Sequence, residues 1–179
     1  AMAMGRAMDD VIITAASATA FTGETGATST AAQTAIAAGG AGLTIAKLRT
    51  AKQTFDLASV DPSIPRHIVV GPEQITNLLS TTEVTSSDFN TVKALVQGEI
   101  DSFLGFKFTV SNRLSKTGND RTCIAFAQDG ITLAIGKDVS ARIDERADKS
   151  YATQVYYCQS IGATRMEEAK VLGIVCQEA

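Results

Sequence analysis

The 179-residue chain is short of the features that mark most biochemical classes. It has no excess of basic residues. Sixteen Lys and Arg stand against nineteen Asp and Glu, giving a net charge of −3 and an isoelectric point near 5.2. The basic stripe that a nucleic-acid binder turns toward phosphates is therefore missing. No uninterrupted apolar run approaches the roughly 18 residues of a membrane span. The N-terminus lacks the basic, apolar and small-residue regions of a signal peptide. The three cysteines, Cys123, Cys158 and Cys176, are odd in number and form no C-x-x-C. That spacing indicates neither a disulfide framework nor a zinc site, and it fits a reducing, intracellular setting.

What is present is an ordinary folded composition. Apolar residues make up 45% and charged residues 20%, too apolar for wholesale disorder and enough to bury a core without staples. The length allows one large domain or two small ones.

The opening stretch reads as the middle of a helix, with Met4, Met8, Val11 and Ala15 at spacings of three and four and Ile12 beside them. No capping residue precedes that stripe, so the expectation is a native chain that begins earlier. Residues 22–42, rich in Gly, Ala, Ser and Thr, are expected to be a loop or mobile link. Leu43 to Val60 is the clearest helix, on Ile45, Leu48, Ala51, Phe55 and Ala58, with Thr44 placed to cap and Lys52–Asp56 as an i, i+4 pair. A strand over 66–70, a helix opened by Pro72, a short helix on Phe89, Val92, Leu95 and Val96, and a strand over 106–111 follow. TCIAFA at 122–127 is apolar on both faces, as in a central strand. Residues 130–135 fit either a short helix or a strand. The end of the chain reads as a hairpin, 152–163 turning at Arg165 to Glu168 into 169–177.

Chemistry-bearing residues do not gather into a motif. His67 has no nucleophile or orienting acid at a telling spacing, and Cys123 sits in an apolar strand where a thiol is inert. Gly130 to Asp138 departs from a phosphate loop: five residues separate its glycines, and Asp138 stands where Ser or Thr binds magnesium. Asp9 and Asp10 are adjacent on a helix and point about 100° apart, which suits a solvated face and not a metal pair. Asp88, Glu99 and Asp101 are scattered. The exception is Lys137 to Lys149, with four basic and four acidic residues. Arg142, Asp144, Glu145, Arg146, Asp148 and Lys149 are read either as a solvated strand edge or as intersubunit contacts, since a mixed, net-neutral surface suits a protein partner better than phosphate or anionic lipid.

Several stretches taken in order resemble a tailed-bacteriophage major capsid protein of the Hong Kong 97 fold. They are GRAMDDVII (5–13), GLTIAKLRTAKQTFD (42–56), RHIVVGPEQITNLLSTTEVTSSDFN (66–90), GFKFTVSNRL (105–114) and the run from Ile124 to Cys176. The resemblance implies an α+β fold in which an axial A-domain is inserted between parts of a peripheral P-domain. Residues 1–42 and 130–179 would form the P-domain, with the end of a spine helix in 5–20, and 43–129 the A-domain. Helix 5–20 is then expected to pack with 137–178. The N-terminal arm and extended E-loop of the family find no counterpart, which implies a truncated core. The implied function is structural and not enzymatic: a subunit that self-assembles into the pentamers and hexamers of an icosahedral shell enclosing a genome. Its implied setting is the virion, made in the bacterial cytoplasm, with copies of itself, scaffolding and portal proteins as partners and no cofactor, metal, membrane or sequence-specific nucleic acid. An encapsulin-like compartment shell shares the fold and is the nearest alternative. A small enzyme or ligand-binding domain around His67 is the other.

Overall fold

The computed structural model describes residues 2–30, 33–80 and 102–178. Helix α1 (Met2–Ser17) opens the chain and is followed by a small hairpin, β1 (Ala20–Thr22) and β2 (Thr28–Thr30). Strand β3 (Gln33–Ile36) leads to helix α2 (Ile45–Leu57), strand β4 (Arg66–Val70) and helix α3 (Pro72–Ser80). After residue 101 come β5 (Ser102–Phe103), β6 (Phe106–Val110), β7 (Lys116–Thr117) and β8 (Asp120–Ala127). Two long strands, β9 (Ile131–Arg146) and β10 (Ala152–Arg165), and a final β11 (Val171–Gln177) complete the fold.

A seven-stranded mixed sheet carries the core, in the order β3-β11-β8-β4-β6-β5 with β7 paired to the far end of β8. Strand β8 lies between β11 and β4, antiparallel to both, and β4 runs parallel to β6. The registers place Ile68 beside Ala125 and Phe108, and Ala125 beside Leu172. One face of the sheet thus carries Ile68, Val70, Phe106, Phe108, Cys123, Ala125, Leu172, Ile174 and Cys176, all buried. Helix α2 covers that face, its Phe55 ring 6.0 Å from Phe106, with Leu48 and Ala51 fully buried beside it. The opposite face, with Val69, Phe126, Ile124 and Val171, is met by α1 through Ile12, Ile13 and Ala16. Burying both faces explains why TCIAFA has no polar–apolar alternation.

Thr44 caps α2 as its position predicts, its Oγ accepting from the Lys47 backbone N–H at 3.4 Å. Pro72 opens α3. The ambiguous 130–135 stretch is the start of β9. Three sequence expectations are overturned. Residues 22–42 hold β2, β3 and the end of β1: backbone pairing organises this small-residue stretch, and β3 adds to the sheet edge parallel to β11. The terminal hairpin does not form, because β10 pairs with β9 while β11 pairs with β8. The run VLGIVC is nearly all buried and belongs between two core strands, whereas most of β10 is exposed. Lys52 and Asp56 are not an ion pair; Asp56 instead accepts from Arg66 at 2.8 Å, where Arg66 lies over the Phe55 ring. The helix expected over 89–96 lies outside the described residues.

Strands β9 and β10 leave the sheet as a two-stranded antiparallel ribbon. Its base is pinned by the Met166 N–H donating to Gly130 O at 3.0 Å and by Lys170, whose ammonium bridges Asp129 at 2.7 Å and Glu167 at 3.0 Å. Gly130 is required there. A β-carbon would stand 2.9 Å from the Lys170 carbonyl oxygen.

Candidate assembly surface

The residues that looked most like chemistry have structural partners. His67 stacks on Phe126, ring centroids 5.6 Å apart. Cys123 is fully buried beside Cys176, and their thiol contact with burial pushes its pKa far up, so it is no nucleophile. Gly130 sits in the turn before β9, its N–H bonded to Ala127 O, and the residues from Ile131 on are strand, committed to a ladder rather than left to cradle phosphate. Asp10 is gripped at two points by the Arg113 guanidinium, which lowers its pKa and ties α1 to the loop after β6. Asp88, Glu99 and Asp101 lie outside the described residues. Among the described residues no group of three or more His, Cys, Asp and Glu side chains is placed to hold a metal ion.

The charged block occupies the far end of the ribbon. Arg142, Asp144, Glu145 and Arg146 are the last residues of β9, and Asp148 and Lys149 lie in the 3-10 turn that joins it to β10. All six are exposed. Arg142 faces Tyr156, Asp144 faces Gln154 and Glu145 faces Thr153 across the ladder. Arg146 is turned back on Asp148, with Nε to Oδ1 at 2.9 Å, and this contact lowers the Asp148 pKa. The structure thus brings the six together at one tip. Ser150 and Tyr151 close the turn in left-handed backbone conformations, φ 53° and 60°.

Further along the ribbon Ser140 Oγ lies 2.9 Å from Cys158 Sγ. That contact, with Lys137 beside it, lowers the Cys158 pKa. Three charged residues that sequence reasoning passed over organise the rest of the molecule. Arg165, 4% exposed, donates to Ala16 O at 3.2 Å, Ala18 O at 2.8 Å and Thr30 O at 2.8 Å, joining α1, β2 and β10. Lys47, 8% exposed, donates to Ala41 O, Gly42 O and Val175 O at 2.7, 2.9 and 3.0 Å. Glu178, 3% exposed, accepts from Arg121, from Lys116 at 2.5 Å and from Gln74 Nε2 at 3.1 Å. Each partner set is assembled from distant segments, so no local pattern announces it.

Solved capsid structures share this fold. The capsid of Ralstonia phage GP4 superposes with a TM-score of 0.71 at 10% identity, over 99% of this chain and 65% of that one. A Mycobacterium phage Che8 chain gives 0.67 at 21% identity over 96% and 60%, and the capsid of cyanophage P-SCSP1u 0.66 at 16% over 99% and 65%. The fold is therefore that of a tailed-phage, Hong Kong 97-like capsid protein. A search of curated proteins finds no match. The chain belongs to the phage capsid protein family, whose profile fits residues 1–178. It spans less than two thirds of the length of the solved capsid chains it matches, 60% and 65% of the first two.

Proposed function

We propose that this chain is the core of a structural subunit that assembles with copies of itself into the icosahedral shell of a bacteriophage, as pentamers and hexamers around the genome. The observation that carries this reading is the family fit over residues 1–178, joined to a fold whose longest strands project as a ribbon and end in an exposed, net-neutral tip. The subunit's work is geometric rather than catalytic: repeated modest contacts add up when each copy presents the same faces in a closed array. Scaffolding and portal proteins are its expected partners during assembly in the host cytoplasm, and the virion is its destination.

Within this reading, residues 1–42 and 130–179 serve as the peripheral part and 43–129 as the axial part. Strand β11 fastens the two, since it follows the ribbon and pairs along its whole length with β8. Arg142, Asp144, Glu145, Arg146, Asp148 and Lys149 are the proposed intersubunit contacts. Rim pairs of this kind are worth only about 0–1 kcal/mol each and mainly set partner register.

Negative-stain microscopy of the complete gene product tests the proposal, with closed shells or capsomers as the expected result. A protein that stays monomeric at every concentration and ionic strength refutes it. Exchanging Arg146 and Asp148 tests the tip: the Arg146→Asp, Asp148→Arg pair preserves the internal ion pair but inverts the outward charge pattern. Impaired assembly is expected, and wild-type particle counts would remove these residues from the contact.

A further inference from the structure

We propose that Cys123 and Cys176 are an oxidisable dithiol, which a small peroxide closes to a disulfide across β8 and β11. The proposal stands apart from the shell reading, since it uses only side chains within one chain. In the ladder Cys123 pairs with Ile174, and Cys176 pairs with Arg121. The two cysteines are therefore diagonal neighbours on one face of the sheet, a backbone spacing of roughly 7 Å. That is the outer limit of disulfide reach, so a slight approach of the strands accompanies closure. Both thiols are free and fully buried. They already touch, Cys123 donating a hydrogen bond to Cys176.

The polarity around the pair separates it from two small core residues. The buried Lys47 ammonium donates to Val175 O at 3.0 Å, on the peptide bond that leads into Cys176. The hydrogen bond from Cys123, and then the Lys47 charge, lower the Cys176 pKa against burial and the Glu178 carboxylate. Cys123 meets the Gly71 N–H at the start of α3 and the Arg121 guanidinium, but its bond to Cys176 and its burial hold its proton on. A cation beside one thiol of a touching pair is the setting in which one sulfur ionises while the other stays protonated. Access is short. Cys176 is the second-last residue of β11, and Gln177, which ends the strand, is exposed. Fraying of that end admits a molecule the size of peroxide but not a bulky disulfide reagent.

The chemistry balances. The Cys176 thiolate attacks one oxygen of hydrogen peroxide, the O–O bond breaks, and the sulfur becomes a sulfenic acid. Hydroxide leaves and takes up the proton that the thiol had lost. The S–S bond then forms as the Cys123 proton passes to the departing hydroxyl, and a second water is released. Two thiols and one peroxide give one disulfide and two waters; the sulfurs lose two electrons, which the peroxide gains. The bond fastens the last strand to the middle of the sheet and closes the ribbon into a covalent loop. A reducing cytosol keeps such a pair open, and an oxidising exterior closes it.

Hydrogen peroxide added to the Cys158→Ser protein, which keeps only the two sheet thiols, tests the proposal. Thiols counted in denaturant should fall from two to none, and a non-reduced peptide map should join Cys123 to Cys176. The melting temperature should rise by about 8 °C and fall back with dithiothreitol. Two free thiols remaining after the exposed Met166 has become its sulfoxide overturn the proposal. Oxygen added at either cysteine without the link does the same. As a second arm, Cys123→Ser should leave a sulfenic acid at Cys176 that dimedone traps, whereas Cys176→Ser should leave Cys123 unmodified. Dimedone found on Cys123 in the latter variant overturns the roles given to the two sulfurs.

Discussion

Glu178 is held by Arg121 at the end of the sheet, its Oε1 accepting from the guanidinium Nε and its Oε2 facing NH2 at 3.4 Å. The contact crosses from the residue after β11 to β8. Lys116 and Gln74 complete the socket, so β7 and α3 are fastened to the same carboxylate. Arg121 and Lys116 hold the Glu178 pKa down at about 2, from an ordinary 4.5. A depressed carboxylate stabilises the fold above its unfolded pKa and loses that contribution as pH falls through its folded one. Stability should therefore decline between about pH 4.5 and pH 2. Glu178→Gln should remove this part of the acid limb. At neutral pH it should cost on the order of 2–3 kcal/mol, because Arg121 is left largely buried without its anion. Urea titrations at pH 7 and pH 3 measure both effects, and equal losses at the two pH values would contradict the assignment.

Arg165 should be irreplaceable by lysine. Its planar fork serves three carbonyls at once, on Ala16, Ala18 and Thr30. An ammonium is a compact donor that cannot span the same separation. Arg165→Lys is expected to destabilise by about 2 kcal/mol, since buried carbonyls lose their donors. Hydrogen exchange should show the loss first in the last turn of α1 and in the β1–β2 hairpin. Unchanged protection there would rule out Arg165 as the joint.

Lys47→Met preserves the aliphatic stem and removes the ammonium that serves Ala41, Gly42 and Val175. The substitution is expected to cost about 2–3 kcal/mol, the range for hydrogen bonds made by a charged group. A chemical-denaturation midpoint equal to wild type would show that other donors take over.

Thiol labelling should separate the cysteines cleanly. Cys158 is half-buried on the ribbon, and its pKa is lowered by Ser140 and then Lys137. Cys123 and Cys176 are fully buried in the sheet. One equivalent of a disulfide reagent should react with native monomer, at Cys158, and three with unfolded protein. Ser140→Ala should slow that reaction below pH 9 by removing the stabilising hydroxyl. Fast native labelling of Cys123 would show that the sheet opens.

The sequence made the sheet's local elements legible and left its pairing obscure. Alternation marked β6, continuous apolarity marked β8, and Thr44 and Pro72 fixed the starts of two helices, because each signal is carried by neighbouring residues. Strand pairing is not local. β11 follows β10 in the chain but pairs with β8, and the choice depends on burial of the whole sheet face. Residues 22–42 were misread for the same reason: Thr, Ser and Ala offer little to pack, and the strands there are held by ladder partners. Arg165, Lys47 and Glu178 look like surface charges until carbonyls and cations from remote segments close around them. The six tip residues were found because a dense block of mixed charge is visible locally. The apolar positions behind them, Val139, Ala141 and Ile143, alternate visibly with Ser140, Arg142 and Asp144, and only their partners Val155 and Tyr157 waited on the pairing of the two strands.

The placement of the tyrosines has an optical consequence. The protein has no tryptophan, and all of its tyrosines stand on the ribbon. Emission excited at tyrosine wavelengths therefore comes from the ribbon alone, while the core, whose aromatic residues are phenylalanine, stays dark. The molecule carries a native reporter on its projecting arm. Denaturation followed by tyrosine emission and by circular dichroism would separate the melting of the arm from that of the sheet without any label.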